Sequence, residues 1–310
     1  MTQMTTRTGA PASPLCFGTM QFGGTADETA SRGMYDACRS VGVNFFDTAH
    51  VYTEGRSETL LGTFCAGEVD DVIIATKAGY EGGASRANIL KTFDESCKRL
   101  KMDRVDLFYM HRWDADTPLE ETLETLASLK AQGLIRYVGV SNYAAWQVMK
   151  AIRVAASFDL SIDVLQPMYS LVKRQAEVEI LPMCADQGVA VCPYSPLGGG
   201  LLTGKYAAGG GGRLIDDHRY AARYDVEWMH NVAAELPKIA KAHGTTAATL
   251  AVAWAGHHPA VTAPIISARS VEQLAPSLAA LDFNMTDALY AEITALSQAP
   301  APATDRLEEA

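Results

Sequence analysis

At residues 44–52 the chain reads NFFDTAHVY, an apolar run that closes on an aspartate and continues to a tyrosine. Two later runs have the same form, because VIIATK at residues 72–77 ends on a lysine and LFYMH at residues 107–111 ends on a histidine. A parallel α/β barrel builds its active site from ionisable side chains at the carboxyl ends of buried strands. The pattern therefore predicts an enzyme with four candidate catalytic residues: Asp47, Tyr52, Lys77 and His111.

Eight short apolar runs are spread along the chain, and helical patterns alternate with them. Most of these runs lack the two-residue alternation of a half-exposed sheet, as expected for parallel strands that are covered on both faces. Eight strand–helix units predict an α/β fold, a (β/α)8 TIM barrel. The predicted strands are Leu15–Gly18, Asn44–Asp47, Val72–Lys77, Val105–His111, Ile135–Ser141, Val164–Met168, Val189–Pro193 and Ala263–Ile266.

The helices between these strands are predicted from apolar periodicity and from start and stop residues. In the fourth helix, for example, Pro118 stands in the first turn and Gly133 follows the last. The predicted helices are Ala26–Val41, Ser57–Cys65, Arg86–Leu100, Pro118–Gln132, Ala144–Ala156, Gln175–Gln187, Val232–His243, Ala247–Gly256 and Val271–Leu281.

A doubly wound sheet is the competing fold, and it is disfavoured because no Gly-x-Gly-x-x-Gly fingerprint occurs. The stretch at residues 199–205 comes near a phosphate-binding P-loop, but Tyr206 stands where Ser or Thr must bind magnesium. We expect one barrel domain over residues 1–298. Residues 205–226, after the seventh strand, are predicted to form an extended substrate or cofactor loop, and residues 299–310 a frayed C-terminal tail.

Composition limits the partners of the chain. Its 310 residues are 48% hydrophobic and 20% charged, which is typical of a soluble globular protein. The net charge of −10 disfavours nucleic acid as a partner, and no apolar signal segment or membrane span is expected. No metal site is predicted, and a homo-oligomer stays open. Six scattered cysteines without a Cys-x-x-Cys pair indicate free thiols and a cytoplasmic protein: Cys16, Cys38, Cys65, Cys97, Cys184 and Cys192.

Hydride transfer to a carbonyl gives the four candidates a common purpose. The oxygen of the reduced carbonyl needs a proton, which Tyr52 can supply, although an unperturbed phenol has a pKa of about 10. A nearby Lys77 ammonium is expected to lower that pKa, and Asp47 to hold the lysine charged. The imidazole of His111 can orient and polarise the carbonyl.

The stretch GVNFFDTAHVY at residues 42–52 resembles the first signature of the aldo-keto reductase family. The catalytic aspartate, tyrosine, lysine and histidine of that family fall on Asp47, Tyr52, Lys77 and His111. The resemblance runs from about Pro14 to Leu281. It implies a (β/α)8 barrel that binds a nicotinamide cofactor and reduces carbonyl groups.

The resemblance also implies where the cofactor binds. The segment GLIRYVGVSN at residues 133–142 is similar to the one that holds the nicotinamide carboxamide, and residues 194–205 are similar to the one around the pyrophosphate. Residues 266–273 resemble the adenosine 2′-phosphate contacts. The implied cofactor-binding residues are Gly18, Thr19, Met20, Asp47, Ser141, Asn142, Gln166, Tyr194, Ser195, Pro196, Leu197, Gly199, Lys205, Ile266, Ser267, Arg269, Gln273 and Ser277.

Two positions depart from the family pattern. Ser267 stands where relatives often carry glycine or lysine, and Ser277 where many carry asparagine. Arg269 remains, and a planar guanidinium suits a phosphate monoester. We therefore expect NADPH/NADP rather than NAD as the cofactor.

The substrate pocket is expected to be rich in hydrogen-bond donors, which favours a small hydroxylated or anionic carbonyl compound over a steroid. A sugar aldehyde, either an aldose or an oxo-sugar, is the predicted substrate. The equally weighted alternative is that the arginines of this region are simply solvated. The predicted substrate-binding residues are His50, Tyr52, His111, Trp113, Arg219 and Tyr220.

Three other functions stay open at this point. The same fold can run in the oxidative direction, as an NAD(P)-dependent sugar or alcohol dehydrogenase. A Schiff-base lyase can use Lys77 as the nucleophile, although it leaves Tyr52 and Asp47 without a role. A non-enzymatic, nucleotide-binding and redox-sensing subunit is known among relatives of this fold.

Overall fold

A computed structural model describes residues 2–206, 209–306 and 308 of the chain. Its centre is a parallel sheet made of β1 (Cys16–Gly18), β2 (Phe45–Asp47), β3 (Ile73–Ala78), β4 (Val105–Met110), β5 (Ile135–Ser141), β6 (Val164–Gln166), β7 (Ala190–Val191) and β8 (Ile265–Ile266). The order in this sheet is β7-β6-β5-β4-β3-β2-β1-β8. All eight predicted strands are found, and the predicted (β/α)8 barrel is confirmed.

Backbone hydrogen bonds close the sheet into a barrel between β7 and β8. Tyr194 and Ile265 form a parallel bridge. The amide of Ile265 donates to the carbonyl of Pro193 at 2.8 Å, and the amide of Thr262 donates to the carbonyl of Val191 at 2.8 Å. The two edges of the sheet are therefore hydrogen-bonded to each other.

Both faces of the strands are buried. In β2, Phe45 belongs to the apolar cluster inside the barrel, whereas its neighbour Phe46 belongs to the cluster between strands and helices. In β3, Ile73 likewise belongs to the cluster inside the barrel and Ile74 to the cluster between strands and helices. This double burial explains why the strand sequences show no alternation of apolar and polar residues.

Helices surround the barrel. They are α1 (Glu28–Ser40), α2 (Arg56–Phe64), α3 (Arg86–Leu100), α4 (Leu119–Ala131), α5 (Ala145–Ala155), α6 (Ile180–Gln187), α7 (Arg213–Asp216), α8 (His218–Tyr224), α9 (Glu227–Ala242), α10 (Ala247–His257), α11 (Val271–Leu278) and α12 (Asp287–Thr294). The predicted helices are found, but the one expected from Gln175 begins at Ile180, the one expected from Val232 begins at Glu227, and the last helix has no counterpart in the prediction. Among the residues with described positions, no helix combines the length and the apolar character needed to cross a membrane.

The extended connection after β7 contains more regular structure than the sequence predicts. A 3-10 helix spans Gly198–Thr203, and α7 and α8 form within the predicted loop at residues 205–226. A sequence pattern misses α7 and α8 because both are shorter than the window of about 11 residues over which apolar periodicity is read. Residues 207 and 208 of this loop, and residues 307, 309 and 310 of the predicted tail, lie outside the described residues.

The N-terminal arm covers the amino-terminal end of the barrel. Met4 joins the apolar cluster inside the barrel. The fully buried carboxylate of Asp106 accepts hydrogen bonds from Arg7 Nε at 3.1 Å and from Arg136 Nη1 at 3.2 Å. It also accepts one from the amide of Ile74 at 3.1 Å. At this end of the barrel, both oxygens of the buried Asp106 carboxylate thus accept hydrogen bonds from within the chain.

The strand register brings the predicted site residues to the opposite rim. Asp47 at the end of β2 pairs with Ala75 of β3, and Lys77 lies two residues further along that strand. Ser141 at the end of β5 pairs with Gln166 at the end of β6. Carboxyl ends of parallel strands meet at one face of a barrel, so these side chains converge there.

The packing of α2 on α3 depends on a glycine. A Cβ atom on Gly62 would overlap the backbone carbonyl of Leu100. We expect Gly62→Ala to lower the free energy of unfolding by about 1–3 kcal/mol, because backbone must move to admit the methyl group. Urea denaturation measures this change. Gly67→Ala, where no atom lies within 4 Å, is the matched control, and equal midpoints for the two variants would contradict the prediction.

Candidate active site

A buried ion pair forms the centre of the site. Lys77 is 1% exposed and Asp47 is 3% exposed. The Lys77 ammonium donates to Asp47 Oδ1, to the carbonyl of Thr48 at 2.8 Å and to the hydroxyl of Tyr52 at 3.4 Å. Burial acts to lower the pKa of Lys77, but the attraction of Asp47 and Tyr52 raises the pKa above its ordinary value. Lys77 therefore stays charged at neutral pH.

Tyr52 begins a strained 3-10 turn, Tyr52–Gly55. Thr53 and Glu54 have φ angles of 48° and 59°, and Gly55 has a φ of 87°. Such left-handed conformations cost a non-glycine residue about 1–3 kcal/mol and persist only where the surroundings impose them. The turn that carries the predicted proton donor is therefore held by other parts of the protein.

Arg99 of α3 supplies much of that support. Its Nη1 donates to the carbonyl of His50 at 2.9 Å and to Glu58 Oε2 at 3.1 Å. Glu58 is fully buried, and its Oε1 accepts a hydrogen bond of 2.6 Å from Thr76 Oγ1 in β3. The guanidinium also fills the space beside Gly55, since a Cβ there would lie 2.5 Å from Arg99 Cζ. Arg99 thus joins the Tyr52 turn to α2, α3 and β3.

The protonation of Tyr52 depends on opposing effects of burial and charge. Burial raises the pKa of Tyr52, the Lys77 charge lowers it, and the Asp47 charge raises it further, so that the pKa lies above its ordinary value. The Lys77 ammonium lowers the pKa of Tyr52 as expected, but the cost of burial exceeds this effect. Tyr52 keeps its proton at neutral pH and can donate it.

His111 is buried next to Tyr52, with ring centroids 5.8 Å apart and planes at 80°. Burial lowers the pKa of His111 to about 3, and the charges of Lys77 and Arg112 act in the same direction. A neutral imidazole has one N–H donor and one acceptor nitrogen. Within the described part of the chain, the buried Nδ1 has no hydrogen-bond partner. His111 therefore retains hydrogen-bonding capacity that a carbonyl substrate can use.

The predicted nicotinamide contacts are connected to these residues. Gln166 Nε2 donates to Asp47 Oδ2 at 2.9 Å, and Asn142 Nδ2 donates to the carbonyl of His111 at 2.9 Å. The hydroxyl of Ser141 donates to the carbonyl of Gln166 at 3.0 Å. Asn142, with a φ of 59°, is held in the left-handed region. The polar groups expected to hold the carboxamide thus share one network with the ion pair.

Polar atoms without partners also lie in the predicted adenosine segment. Among the described residues, the buried hydroxyls of Ser267 and Ser277 have no hydrogen-bond partner. The amide of Arg269 donates to Gln273 Oε1 at 3.3 Å. Buried polar atoms without partners are rare in proteins, and Ser267 is two residues from Arg269, an arginine suited to phosphate. The residues present fit a nicotinamide dinucleotide.

The predicted pyrophosphate stretch follows β7 in an unusual conformation. Tyr194 OH donates to Asn142 Oδ1 at 2.8 Å, and Ser195 has a φ of 63°. A Cβ on Gly199 would lie 2.8 Å from Cδ1 of Tyr220, so α8 packs directly on this stretch. The ammonium of Lys205 lies 4.8 Å from the ring of Tyr206.

After β1, the side chain of Thr19 points into the barrel wall. Its hydroxyl donates to the carbonyl of Asp47 at 3.1 Å and lies 2.8 Å from the hydroxyl of Ser57. Gly18 is packed against β8, because a Cβ there would lie 2.8 Å from Cγ2 of Ile265. Thr19 therefore supports the wall of the site with its side chain.

The predicted substrate-binding residues have different surroundings. Trp113 packs edge-on against Tyr143 at 5.2 Å and lies 5.6 Å from Trp146, which is 62% exposed. His50 Nε2 lies 2.7 Å from Glu95 Oε2. The guanidinium of Arg219 forms two hydrogen bonds, of 3.1 and 2.7 Å, with Asp217. Arg219 is therefore already paired. Tyr220 lies close enough to Tyr52 to affect its pKa.

Several residues of the site are missed by sequence reasoning. The ring of Tyr80, just after β3, lies 4.9 Å from the ring of His111. The guanidinium of Arg112 lies over the Tyr80 ring, 5.0 Å from its centroid. The one feature of the sequence that could have identified Arg112 as a site residue is its position directly after His111. Arg99 has no such signal, because it belongs to a helix that is distant in sequence from Tyr52.

Known proteins with similar sequences identify the family of this chain. A sequence profile of the Aldo/keto reductase family matches residues 14–298. The uncharacterized oxidoreductase YrpG of Bacillus subtilis (strain 168) is 35% identical over 300 residues, which cover 90% of each chain. A relative from Oryza sativa subsp. japonica, named "Probable voltage-gated potassium channel subunit beta", is 35% identical over 300 residues and 89% of each chain. Aflatoxin B1 aldehyde reductase member 2 of Rattus norvegicus is 35% identical over 299 residues, 88% of this chain and 82% of the relative.

A barrel with this buried ion pair, tyrosine and histidine at its carboxyl rim defines an oxidoreductase class. The chain belongs to the aldo-keto reductase family.

The support of the Tyr52 turn can be tested at Gly55. We expect Gly55→Ala to reduce kcat roughly 10–100-fold with little change in cofactor affinity, because the methyl group displaces Arg99 and shifts the turn. Gly42→Ala is the matched control, since Gly42 has a φ of 83° but no atom within 4 Å of its Cβ position. Steady-state kinetics and cofactor titration measure both variants. Equal kcat losses in the two variants would show that Arg99 does not position Tyr52.

Proposed function

We propose that the protein is an NADPH-dependent reductase that converts the carbonyl group of a small aldehyde to an alcohol, with Tyr52 as the proton donor. One observation carries this proposal: the protonated phenol of Tyr52 lies between the Lys77 ammonium, 3.4 Å from its oxygen, and the neutral ring of His111. Carbonyl reduction needs a proton donor and a hydrogen-bond donor at the same oxygen.

A nicotinamide dinucleotide, when bound, would supply a hydride for the carbonyl carbon. Tyr52 gives its proton to the carbonyl oxygen as negative charge develops there, and Lys77 stabilises the phenolate that remains. The N–H of His111 holds the same oxygen. Asp47 keeps Lys77 charged and fixed, and Gln166 holds the second oxygen of Asp47. Ser141 and Asn142 are the groups available for the nicotinamide carboxamide.

The preference for NADPH over NADH rests on the adenosine end. Arg269 can bind a 2′-phosphate through its planar guanidinium, and the unpartnered hydroxyl of Ser267 is a second donor. NADH has no phosphate monoester at this position. The arginine therefore contributes to binding of one cofactor and not of the other.

A sugar aldehyde is the proposed substrate class. The pocket contains hydrogen-bonding groups at His50, Tyr52 and His111, which suit a hydroxylated chain. A larger planar aldehyde is the second candidate substrate. The pair of Trp113 and Trp146 at the exposed edge of the pocket favours it. The name of the rat relative points to substrates of that kind.

The other functions receive less support from the site. A Schiff base requires an unprotonated lysine, but the pKa of Lys77 is raised and its ammonium has three acceptors. The raised pKa of Tyr52 favours the reductive direction near neutral pH over dehydrogenation, which needs a base. A non-enzymatic subunit stays an alternative because of the name of the rice relative. This alternative predicts that the protein binds the cofactor without turning over a substrate.

We also propose a cytoplasmic location. The six cysteines Cys16, Cys38, Cys65, Cys97, Cys184 and Cys192 are free thiols, which a reducing compartment maintains. Small carbonyl compounds are the proposed partners, and no nucleic acid or membrane partner is proposed. A homo-oligomer stays a prediction.

Substitution of Tyr52 tests the function. The wild-type protein should oxidise NADPH in the presence of glyceraldehyde or other short sugar aldehydes, and Tyr52→Phe should lose at least about 100-fold in kcat because its proton donor is gone. Binding of NADPH, followed by fluorescence titration, should persist in this variant. Wild-type turnover by Tyr52→Phe would overturn the role of the tyrosine, and faster reduction of planar aromatic aldehydes would replace the sugar assignment.

Substitution of Arg269 tests the cofactor. We expect Arg269→Ala to raise the KM for NADPH roughly tenfold or more, since a charge-assisted contact to phosphate is lost, and to leave the KM for NADH unchanged. Initial rates with both cofactors measure the ratio. Equal wild-type efficiency with NADH and NADPH, unaffected by the substitution, would contradict the NADP assignment.

A further inference from the structure

We propose that the site recognises aldehydes that carry an anionic group, a carboxylate or a phosphate, and that Arg112 binds this group. The inference deepens the proposed function and rests on it, because it names a subclass of small aldehydes and the residue that selects them. Arg112 lies beside the predicted reaction centre and belongs to none of the networks that hold the barrel together.

Successive ring contacts connect Tyr52 to Arg112. The ring of His111 is near the rings of both Tyr52 and Tyr80, at centroid distances of 5.8 and 4.9 Å. The Arg112 guanidinium is 5.0 Å from the Tyr80 centroid. It therefore lies at most about 10 Å from the His111 ring. A short aldehyde held at His111 can bring a charged group at its far end to Arg112.

The charges around His111 are unequal. The Lys77 ammonium is compensated by Asp47. No ion pair joins Arg112 to a carboxylate among the residues whose positions are described, although the chain as a whole has a net charge of −10. Lys77 and Arg112 both disfavour protonation of His111. An uncompensated cation at the edge of a pocket attracts anions and raises their local concentration.

The ring of Tyr80 gives Arg112 a defined position. Tyr80 is 42% exposed, so its ring forms part of the surface beside the pocket. When a guanidinium lies over an aromatic ring, the flat face of the guanidinium contacts the ring. The N–H groups at the edge of the guanidinium stay available for a planar carboxylate or a phosphate. Arg112 is therefore both fixed in place and able to bind an anion.

Two further cations occupy the α8 side of the barrel. The guanidinium of Arg223 lies 5.5 Å from the Tyr220 ring centroid, and the ammonium of Lys173 lies 5.5 Å from that of Tyr224. Within the described ranges, neither forms an ion pair with a carboxylate. Both add positive potential near Tyr220, whereas Arg219 of the same helix is neutralised by Asp217.

Matched pairs of substrates test the proposal. Succinic semialdehyde is compared with 4-hydroxybutanal, and glyceraldehyde 3-phosphate with glyceraldehyde, so that each pair differs mainly in charge. We expect kcat/KM to be higher for the anionic member. Arg112→Gln should reduce the ratio of kcat/KM for the anionic member to kcat/KM for the neutral member about tenfold, mainly through the KM of the anionic member. Arg112→Lys should retain part of the preference. The preferred anionic group is a carboxylate if the succinic semialdehyde pair shows the larger ratio of kcat/KM, and a phosphate if the glyceraldehyde 3-phosphate pair does.

Arg153→Gln is the matched control, because Arg153 is exposed in the last turn of α5 and its substitution removes the same charge. Equal losses in Arg153→Gln and Arg112→Gln, or a wild-type protein without preference for the anionic members, would overturn the proposal. Calorimetric titration of succinate into the protein saturated with NADP⁺ gives a second readout. Binding of succinate that depends on Arg112, in a protein that reduces none of the aldehydes, would support the anion site and refute the reductase function. Binding unaffected by Arg112→Gln would overturn the anion site.

Discussion

The ion pair between Lys77 and Asp47 is the interaction on which the site depends. Transfer of two charges into the interior of a barrel costs several kcal/mol per ion, and mutual attraction offsets this only with further hydrogen bonds. Those bonds are present, because Lys77 also donates to Thr48 and Tyr52, and Asp47 accepts from Gln166. Removal of Asp47 would leave a buried ammonium without compensation. The pair therefore fixes both the charge and the position of the group beside Tyr52.

Burial and this charge together set the protonation of the neighbouring groups. Next to the charged Lys77, His111 is kept neutral, with its pKa lowered to about 3 by burial and nearby cations. Burial also keeps Tyr52 protonated, with its pKa above the ordinary value. The environment thus gives different charge states to groups that share one pocket: an ammonium, a protonated phenol and a neutral imidazole.

The sequence predicts those features that depend on local pattern. Strand ends with ionisable residues reveal Asp47, Lys77 and His111, and eight apolar runs reveal the barrel. Three-dimensional support has no such pattern: Arg99 reaches the Tyr52 turn from α3, and no spacing in the sequence indicates this contact. The net pKa of Tyr52 is equally inaccessible, because it depends on how much burial outweighs the Lys77 charge. The helices α7 and α8 after β7 are too short to show a periodic pattern.

The two ends of the barrel use buried charge differently. At the amino-terminal end, Asp106 is fully buried and bonded to Arg7, Arg136 and a backbone amide, so its acceptors are used within the chain. At the carboxyl end, the buried His111 Nδ1 and Ser267 Oγ have no partner in the described part of the protein. An unpaired buried polar atom costs about 1–3 kcal/mol, which a ligand can recover when it binds. The buried charge at the amino-terminal end is thus satisfied within the chain, whereas the carboxyl end keeps buried polar atoms that a ligand can use.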